Sequence, residues 1–361
     1  MKFTVAPILA SLFIANAAFA QPQAQPPVEE TEAPEDEVIA PQPDREELPV
    51  TNSGQDANLA AEADTEEDSD KWDVNAPTGA TIRQVPIRTD EGTWMDLDLS
   101  PDGRTIAFSL LGDIYTMPAT GGTPTRIAEG LAWEVQPRFS PDGRRIAFTS
   151  DRGGGDNIWL MNRDGSDMRQ LTKEDFRLLN QPSWSPDGRY IVAKKHFTTG
   201  RSLGTGEVWL YHVSGGGGVK LVERPNENHQ KELGEPIYAA DGEAVYFTRN
   251  TTPGPIFEYA QDSTQGIFAI ERYELATGET TTAVSGYGGA VRPTPSPDGQ
   301  SIAFVRRDKD QSQLWVKDIA SGRERMIYGD LDLDVQETWA VTGVYPNMDW
   351  TPDSNSVIFW A

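Results

Sequence analysis

A Ser-Pro-Asp-Gly tetrapeptide recurs along this chain and constrains its fold more than any other feature. In such a turn, proline presets the first turn angle, aspartate caps the turn and glycine adopts the positive φ that closes it. The copies lie at Ser100–Gly103, Ser140–Gly143, Ser185–Gly188 and Ser296–Gly299, with degenerate versions at 239–242 and 351–354. The predicted structural turn residues are therefore Asp102 and Gly103, Asp142 and Gly143, Asp187 and Gly188, Asp241 and Gly242, and Asp298 and Gly299.

The segments on either side of each turn have the pattern of β-strands. An alternating run such as residues 104–108 follows most copies, and a large or apolar residue such as Phe139 or Trp184 precedes them. Successive turns are 40, 45, 54, 57 and 55 residues apart, in the range of a four-stranded propeller blade with variable loops. We therefore predict an all-β fold, a β-propeller of about six four-stranded antiparallel blades with the last one incomplete.

The composition of the 361-residue chain excludes several classes of function. Cysteine is absent and only three histidines occur, which excludes disulfide scaffolds and cysteine metal sites and argues against a multi-histidine metal centre. The formal net charge of −25 argues against nucleic acid and anionic membrane surfaces as partners.

Residues 1–20 have the pattern of a secretory signal peptide. Lys2 supplies the positive start, residues 5–14 the apolar run and residues 18–20 the small-x-small cleavage site. Because the apolar run is short for a membrane span, we expect cleavage before Gln21. The mature chain is then expected to have no membrane span and to be periplasmic or secreted.

An acidic, proline-rich stretch follows over residues 21–75. It holds 17 acidic residues against two basic ones, Arg45 and Lys71. Such a segment buries too little apolar surface to offset the entropy of ordering, and its like charges extend it. We predict a disordered linker, either a solvated spacer or an acidic interaction tail, and assign the propeller to residues 76–361.

Within the propeller we predict strands over 81–89 and 94–99 and an aromatic column on the third strands. The column is expected to fill the core between blades rather than to bind a ligand, and it contains Tyr115, Trp159, Trp209 and Trp315. In blade four the turn spacing places Glu271 in this column, which predicts a bulge or register change near residues 268–273.

A column of prolines orients the blades. Proline cannot donate to a ladder and belongs on a sheet edge, so we expect the first strand of each repeat to line the central channel, through Pro137, Pro182, Pro236 and Pro293. The residues directly before this column are all polar and predict a collar at one mouth of the channel, either a binding ring or a solvated rim. The collar is Asp96, Gln136, Gln181, Glu235, Arg292 and Asn347.

The long insertions all fall on connections opposite the Ser-Pro-Asp-Gly turns, so we predict that this top face is the working surface. A basic group of Lys195, His196 and Arg201 belongs to it. This group either binds a carboxylate or pairs with neighbouring acids. Residues 330–334 invite a calcium interpretation, but a solvated edge suits an extended segment better.

Catalytic motifs are absent from the sequence. It contains no Gly-x-Ser-x-Gly elbow, no His-x-His or His-Glu-x-x-His pair and no phosphate-binding glycine loop before a helix. We therefore predict no catalytic residue, metal or cofactor within this segment.

The Ser-Pro-Asp-Gly turns, with Ile-Ala-Phe behind them and Ile-Trp or Val-Trp further on, resemble the TolB-like, WD40-like propeller family over about residues 90–361. Blades three and four look like the N-terminal propeller of large exported amidohydrolase-type proteins, on residues 193–197, 201–204, 206–212 and 252–259. That resemblance implies a hydrolase domain beyond residue 361 as the partner and the site of a divalent metal, with the present chain as a fragment.

Three functions remain open on these residues. The first is a non-catalytic propeller that gates or presents substrate to an amidohydrolase domain, where metal-activated water does the hydrolysis. The second is a free-standing TolB-like adaptor that binds another periplasmic protein. The third is the propeller of an exported serine peptidase. Ring closure is open as well, since either the 81–89 strand completes the last blade or further blades exist.

Overall fold

Short antiparallel hairpins build every sheet of this chain. The computed structural model describes residues 4–7, 73–89, 91–92, 95–174, 178–198, 204–258, 261–331 and 347–360. The chain divides into two units, residues 1–9 with 72–361 and residues 10–71, and the second lies outside the described residues. Most of the predicted signal peptide and linker therefore lies outside them too.

The strands follow one another around the propeller in chain order, after β1 (Thr4–Pro7). Blade one contains β2 (Leu97–Leu99), β3 (Thr105–Leu110), β4 (Asp113–Pro118) and β5 (Thr125–Ala128). Blade two contains β6 (Glu134–Phe139), β7 (Arg145–Ser150), β8 (Asn157–Asn162) and β9 (Arg169–Gln170). Blade three contains β10 (Leu178–Trp184), β11 (Tyr190–Thr198), β12 (Gly204–His212) and β13 (Val219–Val222).

Blade four contains β14 (Leu233–Tyr238), β15 (Ala244–Asn250), a 3-10 turn (Ser263–Gln265), β16 (Phe268–Glu274) and β17 (Thr280–Val284). Blade five contains β18 (Val291–Pro295), β19 (Ser301–Asp308), β20 (Gln311–Asp318) and β21 (Glu324–Tyr328). Blade six contains β22 (Met348–Trp350) and β23 (Ser356–Phe359). The predicted propeller of four-stranded antiparallel blades, with an incomplete last one, is confirmed.

Each Ser-Pro-Asp-Gly turn is held by its own side chains. In the Ser185 turn the serine Oγ donates to Asp187 Oδ1 at 2.6 Å and accepts from the backbone N–H of Tyr190 at 2.9 Å. Gly188 has a φ of 69°, a region that costs glycine little and other residues more. The hydroxyl bond is also the main reason why the pKa of Asp187 is lowered to about 2. Thr351 and Asp353 reproduce these bonds in the last, degenerate copy.

Residues 81–89 are not a strand, so that prediction is wrong. The segment is exposed and has no regular secondary structure, and its apolar side chains Ile82, Val85 and Ile87 lie in solvent. It does not complete blade six. The third strand of that blade is β1, which pairs antiparallel with β23 from Thr4 opposite Phe359 to Pro7 opposite Ser356 and which belongs to the predicted signal peptide, so cleavage before Gln21 would remove it. The predicted strand 94–99 corresponds to the shorter β2.

Apolar side chains fill all six interfaces between neighbouring blades. One cluster joins Ile114 of blade one to Phe148 of blade two, and equivalent clusters lie around the ring. The predicted aromatic column borders these clusters, with each member half-buried against one of them. Face-to-face packing of sheets explains why large side chains recur there.

Glu271 occupies the aromatic column in blade four, as predicted, opposite Phe247. The expected register change is present between Ile270 and Glu271 on the side of β17. It is not peculiar to this blade, because blades one, three and five shift register at the same place. The irregularity therefore belongs to how the outer strand of these blades pairs, and not to the glutamate.

Replacing the turn serine tests how much a single hairpin corner contributes to stability. Ser185→Ala removes two hydrogen bonds and leaves the N–H of Tyr190 without its acceptor, so we expect a loss of about 1–2 kcal/mol in the free energy of unfolding. Urea denaturation measures the change. Thr281→Ala, on the exposed outer strand β17, is the control and should change stability by less than about 0.5 kcal/mol. Equal stabilities for the two variants would contradict this account of the turn.

Candidate functional site

The residue before each column proline has a backbone conformation that is rare outside glycine. Gln136, Gln181, Glu235 and Arg292 have φ values of 54–58°, and at each of them the first strand bulges so that two residues oppose one on the second strand. Because the following proline has no N–H, the ladder is interrupted there in any case. The bulge turns the side chain before the proline toward the neighbouring blade.

These side chains form a relay from blade to blade. The Oε1 of Gln136 accepts the N–H of Gln181 at 2.7 Å, and the Oε1 of Gln181 accepts the N–H of Glu235 at 2.7 Å. The Oε2 of Glu235 then accepts the N–H of Arg292, also at 2.7 Å. Four blades are thus linked by one repeated bond between a side chain and a backbone amide.

The collar is completed around Asp96, in blade one. Its Oδ1 accepts from Nη2 of Arg292 and from Nδ2 of Asn347, both at 2.9 Å. The Nδ2 of Asn347 also donates to the carbonyl of Leu97 at 2.8 Å. All six predicted collar residues therefore lie in one ring, and all but the half-buried Asp96 are buried. These hydrogen bonds use many of the donors and acceptors that a binding ring would need for a ligand.

A second ring lies two residues further along each first strand. It consists of Asp98, Arg138, Ser183, Ile237, Thr294 and Asp349. Sequence analysis did not single out these residues, although a charged side chain two positions after the collar was a usable signal. Asp98 Oδ2 accepts the N–H of Phe139 at 2.7 Å, and Asp349 Oδ2 accepts the N–H of Leu99 at 2.9 Å. These bonds again run from one blade to the next.

Desolvation raises the pKa values of the two carboxyls of the second ring. Desolvation, followed by repulsion from Asp349, raises the pKa of Asp98 well above its ordinary value. Desolvation also raises the pKa of Asp349, to about 6. The nearby guanidinium of Arg138 opposes both shifts but donates to the carbonyls of Pro137 and Leu97. Near neutral pH this pair of acids binds a proton more readily than exposed carboxylates do.

The two rings enclose a cavity of about 320 Å³ along the central channel. The column prolines Pro182, Pro236 and Pro293 line it, so the first strands face the channel as predicted. Its wall continues to the turn prolines Pro141, Pro186 and Pro297, which are exposed. The cavity therefore opens at the Ser-Pro-Asp-Gly face, and the hydrogen-bonded collar lies at its inner end.

The predicted basic group on blade three lies apart from this cavity. Nζ of Lys195 lies 2.7 Å from Oε1 of Glu174 and 4.3 Å from the ring centre of Trp209, in a separate groove that also contains Glu207 and Arg224. His196 is buried, and Arg201 lies outside the described residues. Lys195 thus pairs with a neighbouring acid, which was one of the two interpretations left open.

The described part of the chain contains neither a metal-ligand cluster nor a membrane-spanning helix. No group of three or more histidine, aspartate or glutamate side chains there is placed to hold a metal ion. The same residues include no helix with the length and apolar character needed to cross a bilayer. Most of residues 330–334 fall outside the described ranges, so the structure does not test the calcium interpretation of that segment.

Comparison with known proteins gives the same picture of the fold and connects it to peptidases. Residues 97–259 match the family described as the Tricorn protease N-terminal β-propeller domain. The chain is 28% identical over 221 residues to an uncharacterized protein of Agrobacterium fabrum, covering 58% of this chain and 69% of that one. It is 26% identical over 194 residues to an uncharacterized peptidase of Bacillus subtilis, covering 44% of this chain but 29% of the peptidase. A Tricorn-like protease C-terminal subunit of Sulfurisphaera tokodaii is 25% identical over 43% of this chain and 16% of its own length.

Solved structures with the same fold include two described as TolB. One, from Agrobacterium tumefaciens, has a TM-score of 0.56 and 20% identity, covering 74% of this chain and 90% of that structure. The other, from Acinetobacter baumannii, has a TM-score of 0.51 and 18% identity, covering 73% of this chain and 62% of that structure. At these identities the likeness concerns the fold alone, while the peptidase relatives extend well beyond the part that this chain matches.

Removing one member of the relay is expected to destabilise the whole propeller. Gln136→Ala leaves the buried N–H of Gln181 and the hydroxyl of Thr149 without their acceptor, which costs about 1–3 kcal/mol. Urea denaturation should report the loss as a single cooperative shift. The matched control is Gln300→Ala, whose exposed side chain contributes within about 0.5 kcal/mol. If both variants unfold at the same denaturant concentration, the relay does not hold the blades together.

The raised pKa of Asp349 predicts a specific dependence of stability on pH. Since its folded-state pKa of about 6 exceeds the ordinary 3.8, its contribution is complete below pH 3.8 and is lost as the pH rises through 6. Asp349→Asn should therefore flatten the decline in melting temperature over that window. Asp187→Asn is the opposite control, because a pKa lowered to about 2 contributes above pH 3.8 and is lost at lower pH. Parallel profiles for wild type and Asp349→Asn would contradict the assignment.

Proposed function

Because this chain is a TolB-like β-propeller related to the propeller domains of peptidases, we propose that it is the non-catalytic ligand-binding module of an exported hydrolase. The observation that carries this proposal is the cavity at the Ser-Pro-Asp-Gly face. A pocket of about 320 Å³ falls within the range of small-ligand sites. Its polar groups lie along one side, so the cavity is suited to bind one part of a substrate while another domain catalyses the hydrolysis.

The position of the cavity determines from which face of the propeller a ligand enters. Its mouth is surrounded by short, rigid turns, and the collar hydrogen bonds lie at its inner end. A ligand that enters from the turn face therefore stops at the collar instead of passing through the ring. In this proposal the module recognises or retains one end of a substrate, and the long connections of the opposite face remain for docking to another domain.

The hydrolase attached to this module has two candidate classes. A metal-dependent amidohydrolase is favoured by the motifs of blades three and four, and that domain rather than this segment would hold the divalent metal. A serine peptidase is favoured by the relatives, since this chain aligns with part of a peptidase and part of a Tricorn-like protease subunit. An exported adaptor that binds another protein is the third candidate, favoured by the likeness to structures described as TolB.

Blocking the mouth of the cavity tests the module in the complete hydrolase. Ala240 lines the mouth, and Ala240→Trp should lower kcat/KM for large substrates by about tenfold while leaving turnover of a small activated substrate unchanged. Thr281→Trp, on an exposed outer strand away from the cavity, is the matched control. An equal effect of both substitutions, or none of Ala240→Trp on large substrates, would overturn the proposed role of the cavity.

The isolated 361-residue chain provides the complementary control. Incubated with amide and peptide substrates, with and without added zinc, it should show no hydrolysis above the buffer rate. Turnover by the chain alone that survives chelation and repurification would overturn the non-catalytic role. In a pull-down from an exported-protein extract, recovery of a separate protein without any hydrolase would favour the adaptor instead.

A further inference from the structure

The charges that line the cavity are not balanced. Asp98, Glu235 and Asp349 contribute carboxylates to its wall, and Asp96 lies beside them in the collar. Among the described residues that line the cavity, only Arg138 and Arg292 carry positive charges that oppose these four acids. Both are already engaged, Arg292 with Asp96 at 2.9 Å and Arg138 with the carbonyls of Pro137 and Leu97. The cavity therefore has more acidic than basic side chains and an excess of hydrogen-bond acceptors.

Two polar atoms at the inner end of the cavity have no hydrogen-bond partner among the described residues. They are Nε2 of Gln181 and Oε1 of Glu235, on side chains that are each only 4% exposed. The nearest cation to Oε1 of Glu235 is Nη1 of Arg292, at 3.8 Å, which is too far for a hydrogen bond. Buried polar atoms without partners are uncommon and call for a ligand or an ordered water.

The opposite wall of the cavity is apolar and aromatic. Trp184, Ile237 and Tyr238 line it, together with the column prolines of blades three to five. An aliphatic stem can pack on this wall while its charged end faces the carboxyls of Asp98 and Asp349. Because no third acidic side chain joins this pair as a metal-ligand group in the described part of the chain, the pair suits a hydrogen-bonding organic cation better than a divalent metal, which needs more oxygens.

We propose that this cavity binds a primary ammonium group on an aliphatic stem, with Asp98 and Asp349 as its counter-ions. The ammonium donates to the two carboxyls, the stem lies along Trp184 and Ile237, and a second polar group of the ligand reaches Gln181 and Glu235 at the inner end. The three donors of one ammonium match the acceptor capacity that remains on two half-buried carboxylates, of which Asp98 accepts one backbone N–H and Asp349 accepts two. Free alkyl amines and the amino terminus of a peptide share this chemistry.

Isothermal titration calorimetry on the complete 361-residue chain tests the proposal with defined probes. The probes are 1,5-diaminopentane for free amines and trialanine amide for a peptide amino terminus, with N-acetyl-trialanine amide as the uncharged control. We expect binding of at least one charged probe and none of the acetylated one. Which charged probe binds more tightly identifies the source of the ammonium group. Equal binding of the acetylated and free peptides, or no binding of either charged probe, would overturn the proposal.

Variants connect any binding to the cavity itself. Asp98→Asn and Asp349→Asn should each weaken binding about tenfold or more, whereas Asp187→Asn, at an exposed turn, should not. Should the asparagine variants fold poorly, Ile237→Lys provides an independent test, because it places a tethered ammonium inside the cavity. It should abolish amine binding and melt at a higher temperature than Ile237→Met. Unchanged affinity in Ile237→Lys or in both folded asparagine variants would contradict the assignment.

This inference rests on the proposed ligand-binding role of the cavity, but the two can fail separately. The calorimetry uses the chain alone, whereas the Ala240→Trp experiment uses the complete hydrolase. If the cavity binds no amine but Ala240→Trp still lowers kcat/KM, the proposed role of the cavity in the hydrolase stands and the ammonium ligand is excluded. If the cavity binds an amine but Ala240→Trp has no effect on kcat/KM, the ammonium ligand stands and the role of the cavity in hydrolysis is excluded.

Discussion

The propeller depends on one repeated interaction, a hydrogen bond that a backbone N–H of one blade donates to a side-chain oxygen at the channel of the preceding blade. Among the strands that the structure describes, neighbouring blades share no backbone ladder, so apolar packing would join them without fixing their angle. Gln136, Gln181 and Glu235 add that directional constraint. Each does so from a bulge with positive φ, a conformation that costs free energy outside glycine and is retained here because the bond to the next blade requires it.

The same interaction creates the cavity. Polar side chains directed at neighbouring backbone amides must lie near the axis, where they are removed from water, and burial of a carboxylate is costly unless it is paired. Asp98 receives one backbone N–H and Asp349 receives two, which only partly offsets the loss of hydration and leaves their pKa values raised. A propeller that links its blades with acids therefore acquires an acidic chamber at its axis.

Much of this arrangement could be predicted from residue patterns, because each blade repeats the same local chemistry. The turn motif, the proline column and the aromatic column each describe contacts within one hairpin or across one interface, and Glu271 was correctly placed in its column. Residues 81–89 were wrongly predicted as a strand: Ile82, Val85 and Ile87 fit the strand pattern, but β1 pairs with β23 instead. Asp98 and Asp349 were missed although their position two residues after the collar was a usable signal, because their proximity to each other depends on the packing of blade six against blade one.

The sequence by itself determined the hairpins, their number and the face of each strand that meets the channel, because turn chemistry and strand alternation act over a few residues. Only the tertiary structure decided which polar residues form the hydrogen bonds between blades and which do not. That distinction depends on atoms that are distant in the chain, as when Arg292 and Asn347 converge on Asp96. It emerges only when the ring closes, since closure sets both the distances between these groups and their exclusion from water.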